Sequence, residues 1–239
     1  MLDAVQNRDA AGEPYITSAP ANSFLFEVGR VPGRVMIGLM IDPWNGDRTD
    51  PAIAEAVNDT ARHLEGLGYH VSLATPDIGV SWEALVQASA TIWAATTLEP
   101  ATLACVRYGR HAWATDYAAA LPSRAVGAWL ERFDVLLTPT LPHRAPAIGT
   151  YAQGSESMSG LEWTDRVFRH SPFTPPFNVA GGTAMSVPLA SDPATGLPIG
   201  LQFAAGFARE DRLLRLAGQL EQSRPWSRRR PRVWEGNPM

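Results

Sequence analysis

Phe177 to Pro188 reads FNVAGGTAMSVP, with paired glycines, a threonine and a serine just ahead of an apolar strand. Glycine amides can donate to an oxyanion, and Ser186 carries a nucleophile's hydroxyl. A serine becomes nucleophilic only beside a base, and no histidine or lysine stands near it in sequence. The preferred reading is a tight turn at Gly181-Gly182 followed by a serine held in a strand. The G-x-S-x-G elbow is absent; GSESMSG, Gly154 to Gly160, has the wrong spacing and reads as a flexible loop.

The five histidines are His63, His70, His111, His143 and His170, and no two form H-x-x-x-H or H-E-x-x-H. No metal site and no cofactor are therefore expected. His63 is expected on a surface helix and His70 at the start of a strand. His143 and His170 flank a long loop, so they are the pair best placed to approach a pocket, although surface placement is the expectation for each. Cys105 with His111 would suit a thiol nucleophile, but one cysteine in an alanine-rich helical stretch is more often a small buried apolar residue. RPWSRRRPR, Arg224 to Arg232, has the makings of a nucleic-acid contact through Trp226 and its arginines; in an acidic chain it is expected to be a solvated tail.

The composition narrows the chemistry further. All 20 basic residues are arginine, so the chain has no lysine. Arginine stays protonated near neutral pH and cannot replace a lysine base or form a lysine Schiff base. With one cysteine, no internal disulfide or cysteine-built zinc site can form. A net charge of −4 gives no global reason to bind nucleic acid or an anionic membrane. No apolar run reaches membrane-spanning length, and MLDAVQNRDAAGEPY lacks a signal-peptide pattern. A soluble, cytoplasmic protein is expected, and the 45% apolar content is enough for a core.

The elements that must position any site follow from local pattern. MLDAVQ resembles the end of a helix, and a connector runs to about residue 33. Arg34 to Asp42 is a continuous apolar run and predicts a buried strand. Asp50-Pro51 predicts a helix start, with Ile53, Val57, Leu64 and Leu67 at helical spacing and Gly68 as the stop. YHVSLA closes a β-α-β unit, which calls for parallel strands. Helices are expected in the alanine-rich Trp82 to Ala120 and over Ser123 to Phe133, then a strand over Asp134 to Thr140. Leu141 to Pro176 is a long Pro/Gly/Ser-rich loop with one helix near Leu161 to His170; long ordered loops tend to line sites. TAMSVP and IGLQFAAG predict a hairpin with a long loop, and REDRLLRLAGQLEQ an amphipathic last helix. There are no repeats and no clear linker, and the fold class is α/β.

Several of these segments carry a family resemblance. FNVAGGTAMSVPLASDPATGLPIGLQFAAGFAREDRLLRLAGQLEQSRPW resembles the C-terminal portion of amidase signature enzymes: an F-N turn, an A-x-S-x-P strand, G-L-P-x-G-x-Q, and a helix ending E-Q-x-x-P-W. FDVLLTPTLPHRAPAIG looks like that family's strand and pocket loop, and Val28 to Val71 like the β-α-β unit after its catalytic core. The chain looks most like the branch that includes 6-aminohexanoate cyclic dimer hydrolase. The resemblance implies a partial amidase-signature fold, a mixed sheet flanked by helices, and residues 1–239 as the C-terminal part of one amidase domain, with 1–33 as connector and 224–239 as basic tail. It implies hydrolysis of small linear or cyclic amides by a serine, a second serine in a cis peptide and a lysine. No Gly/Ser-rich signature segment of that kind occurs here, so no catalytic residue is assigned, the isolated chain is expected to be inactive, and a truncated gene product is one expectation. Thr138, Thr140, Phe173, Phe177 and Asn178 are expected in the substrate pocket wall. The implied partners are a small amide and either the N-terminal half of the enzyme or a second copy of this chain. A non-catalytic binding or complementing subunit stays open as the alternative.

Overall fold

The computed structural model describes residues 2–5, 20–96, 123–227 and 229. Cys105, His111, residues 6–19 of the connector and the end of the basic tail lie outside the described residues.

The β-α-β unit forms as its local signals require. Strand β1 (Met36–Leu39) leads to α3 (Pro51–Gly66) and then β2 (His70–Leu73), and the two strands pair in parallel. The Asp50 side chain accepts from the Ala52 amide at the start of α3, where proline stands at the first helical position. Gly68 takes φ +93° just past its end, a conformation that glycine adopts without a Cβ penalty. Helix α4 (Trp82–Thr96) and α5 (Ser123–Arg132) precede β3 (Val135–Pro139), which pairs in parallel with β1. After a loop come α6 (Gly160–His170) and the short α7 (Pro175–Ala180). The hairpin of β4 (Thr183–Ser191) and β5 (Pro198–Ala205) adds antiparallel strands, and α8 (Glu210–Ser223) closes the described fold. The sheet order is β2-β1-β3-β5-β4, so this is a mixed sheet flanked by helices.

Alternate residues of the buried strands feed two separate layers. Ile37, Val135, Leu137, Leu201 and Phe203 pack with α3 and α8, whereas Leu136 and Ala204 pack with α4, α5, α6 and α7. Because both faces are covered, β3 reads as a continuous apolar run rather than an alternating one. Close approach needs glycine at two points. A Cβ on Gly38 would lie 2.4 Å from the Trp129 ring, and one on Gly218 would lie 2.0 Å from the Val28 carbonyl oxygen.

That second contact explains structure inside the connector. Helices α1 (Leu2–Val5) and α2 (Phe24–Val28) form there, and α2 docks on α8. Glu27 is buried at this joint, accepting from Arg215 Nε at 2.5 Å and Asn22 Nδ2 at 2.8 Å. The Arg215 hydrogen bond holds its carboxyl below the usual range, against the opposing effect of burial.

Three local expectations are corrected. The hairpin loop is short, because β4 continues through Leu189 to Ser191; its pairing shifts between Val187 and Ala190, around Pro188, which has no amide proton to donate. The segment before the Gly181 turn is helix α7, started by Pro175-Pro176 and ended by Gly181 at φ +68°. The tail is not wholly solvated: Trp226 packs against the α8 side of the core, Arg224 pairs with Asp59 at 2.6 Å, and Arg229 donates to the Pro188 carbonyl at 2.8 Å.

Candidate functional site

At its C-terminal end β3 delivers a polar row across three strands. Thr138 is opposite Gln202 on β5, and Gln202 is opposite Ser186 on β4. Gln202 is buried and its Nε2 donates to the Phe173 carbonyl at 2.9 Å and to Thr138 Oγ1 at 3.3 Å. Thr138 Oγ1 in turn donates to the Pro139 carbonyl at 2.8 Å. Gln202 therefore ties the loop ahead of α7 onto the sheet. The signal for it was present: one amide interrupts the apolar run IGLQFAA, and such a group must find partners when buried.

Two residues further along, Thr140 and Ser186 share a hydrogen bond of 2.6 Å. Gly200 lies beneath them; a Cβ there would come within 2.8 Å of Ser186 Oγ and 3.0 Å of Thr140 Oγ1. A hydroxyl partner does not raise the nucleophilicity of Ser186 as an imidazole or amine would. Ser186 is thus a strand serine in an exposed position, paired to Thr140.

The expected wall residues take different depths. Phe173 and Phe177 are buried with Trp44, each ring centroid 6.3 Å from the indole, and Trp44 Nε1 donates to the Pro76 carbonyl. Thr138 is buried with them, Thr140 is half-buried, and Asn178 is exposed on α7.

The loop after β3 carries His143 and Arg144 between two cavities. One, of about 260 Å³, is bounded by Thr140, Asp192, Thr195 and Gly200; the other, of about 620 Å³, by Tyr151, Arg166 and His170. The loop is fastened at both sides. The Asp50 amide, at the cap of α3, donates to the Pro142 carbonyl at 2.7 Å. Arg144 Nε lies 3.3 Å from Asp192 and 3.9 Å from Asp50. Hydrogen bonds from Thr195 and from the Ala194 amide, then the Arg144 charge, keep the Asp192 carboxyl below its ordinary range.

His143 and His170 do meet, with ring centroids 4.3 Å apart, and Tyr151 stands edge-on to His170 at 4.4 Å. Helix α6 brings His170 there: its start is secured by a capping box between Ser159 and Glu162. Burial, followed by the neighbouring His143, pushes the His170 pKa down to about 4. His63 is half-buried against Ser223, and His70 is exposed at the start of β2. Among the described residues no three His, Cys, Asp or Glu side chains gather as they would around a metal ion. No described helix is long and apolar enough to cross a membrane.

Comparison with known proteins bears on this arrangement. The family described as Amidase matches residues 87–214. Over 232 residues the chain is 30% identical to the putative amidase AmiA2 of Mycobacterium tuberculosis, covering 87% of this chain and 45% of that protein. It is 38% identical over 109 residues to the 6-aminohexanoate-cyclic-dimer hydrolase of a Pseudomonas species, covering 44% of this chain and 22% of that one. The solved structure of 6-aminohexanoate cyclic dimer hydrolase aligns with a TM-score of 0.74 at 27% identity, over 92% of this chain and 51% of that one. A bacterial aryl acylamidase shares the fold, with a TM-score of 0.63 at 20% identity over 85% of this chain and 46% of that one. The chain spans about half the length of AmiA2 and of the solved hydrolase.

Proposed function

The chain belongs to the amidase family, and on that premise we propose that it forms the pocket wall and scaffold of a carboxamide hydrolase whose Ser–Ser–Lys set lies outside these 239 residues. One observation carries this reading: the sequence contains no lysine. Amide hydrolysis needs an activated hydroxyl, a group to protonate the departing amine, and donors for the tetrahedral oxyanion. Ser186, in the candidate site, is paired to another hydroxyl. Binding and orientation are what remain for this part to supply.

In this reading the 239 residues are one part of a single amidase domain. Thr140 and Asn178 present polar groups to a small linear or cyclic amide, while Thr138, Phe173 and Phe177 form the support behind them. The partner is the polypeptide that brings the two serines and the lysine. Strand β4 supports this, since it is an edge strand of the described sheet with Ala184 and Ser186 exposed; a strand edge favours pairing with another chain segment.

The test is release of ammonia or amine from a panel of small amides. The 239-residue chain alone is expected to release none above the buffer rate. Co-production with the N-terminal half of a full-length relative is expected to restore turnover. Hydrolysis by the pure chain at rates typical of an enzyme overturns the reading, because losing the nucleophile or base removes several orders of magnitude of rate.

A further inference from the structure

The larger cavity beside the His143–Arg144 loop has an unusual charge balance. Its lining contributes two guanidinium groups, Arg144 and Arg166, two imidazoles and the Tyr151 phenol, and no carboxylate of the described residues. Arg144 is neutralised from its far side by Asp192 and Asp50. Arg166 is not. Its Nη1 donates to the Tyr151 carbonyl at 3.1 Å and the Gln153 carbonyl at 2.7 Å, and no described carboxylate pairs with it. The next acidic residue on the helix, Asp165, is committed elsewhere, accepting from Arg169 Nε at 2.7 Å and Trp82 Nε1 at 3.1 Å.

Those carbonyl bonds give Arg166 a fixed direction without cancelling its charge. A guanidinium presents five donors in a rigid fork, so one engaged nitrogen leaves the rest to receive a carboxylate. The His170 ring and Tyr151 add an imidazole and a phenol donor around the same space, which at about 620 Å³ suits a small molecule; the His143 ring stacks on His170 and gives its Nδ1 proton to the Arg144 carbonyl at 3.0 Å.

We infer that this cavity is an anion subsite, and that the amide substrate carries a carboxylate which Arg166 receives, with His143, His170 and Tyr151 around it. The inference rests on the amidase reading for the word substrate; the subsite itself does not depend on it.

The test uses the 239-residue chain and two ligands of the same length that differ in charge. Glutaramate is a monoamide with one carboxylate, and glutaramide is its neutral diamide. Calorimetric titration at pH 7 and low salt is expected to show glutaramate binding about tenfold or more tighter, the gain a charge-assisted fork provides. Raising ionic strength is expected to shrink that gap. Arg166→Gln is expected to abolish the preference, and Arg166→Lys to restore part of it. The wild-type ligand pair decides the matter even if the Arg166 variants fold poorly. Equal affinity for the two ligands, binding of neither, or inorganic phosphate binding tighter than glutaramate overturns the inference. Turnover is not needed for this readout. Anion binding without amide hydrolysis in the reconstituted enzyme would leave the subsite standing and remove the functional reading; hydrolysis of neutral amides without anion binding would do the reverse.

Discussion

On the α3 and α8 side of the sheet, Ile37, Leu39, Val135, Leu137, Leu201 and Phe203 meet Ile53, Val57, Leu64, Leu213, Leu216 and Leu220. On the α4 to α7 side, Trp44, Phe173 and Phe177 gather beside the buried amide of Gln202, and α6 carries Arg166 and His170 to the larger cavity. The first face is held by apolar burial, which is non-directional and tolerant of small shifts. The second depends on hydrogen bonds that fail if a strand slips by one residue, since a slip turns each side chain to the opposite face. The buried polar network of Gln202 and Thr138 thus sits on one face of the sheet, where it ties down the loop ahead of α7.

The contrast predicts effects of different size and kind. Phe203→Ala empties a fully buried position on the aliphatic face. It is expected to cost about 3–5 kcal/mol, read as a lower Tm, without changing ligand preference in the Arg166 cavity. A variant that melts normally would break the assignment of that face to stability.

Gln202→Leu keeps the volume on the opposite face but removes the donor to the Phe173 carbonyl and Thr138. It is expected to cost about 1–3 kcal/mol, the penalty of leaving a buried acceptor unpaired. Hydrogen exchange over residues 171–180 is expected to rise selectively. Uniform exchange across both faces would instead make Gln202 an ordinary core residue.

The smallest effect concerns pH. The folded-state pKa of His170 lies at about 4, below its ordinary value near 6.5. The unfolded chain therefore binds more protons between those values, so the stabilising contribution of the neutral ring is complete above about pH 6.5 and is lost as pH falls toward 4. Titration of the His170 ring by NMR is expected to show the low midpoint. His143→Ala, by removing the second cause, is expected to raise it; an unchanged midpoint would leave burial as the whole explanation.

Much of the scaffold was legible in advance. Asp50-Pro51 and Gly68 delimit α3, the apolar runs mark β1 and β3, and the parallel pairing of the β-α-β unit follows from their order. Helix α7 was missed because six residues carry too little periodicity to stand out, and β4 was shortened because Pro188 and the turn-forming residues after it read as loop. Of the residues expected in a pocket wall, Thr140 and Asn178 reach accessible positions, while Thr138, Phe173 and Phe177 are buried; residue type could not reveal that depth.

Residue types alone determined that these 239 positions hold no amine base, and local spacing determined where chain direction and helix ends fall. Only the tertiary structure placed Thr140 on Ser186, Gln202 on the Phe173 carbonyl, and His143 on His170. The physical reason is range. Capping and periodicity act over one or two turns of chain, whereas these pairs stand 46, 29 and 27 residues apart and meet through the sheet order, the strand register and the docking of α6 beside the β3 loop.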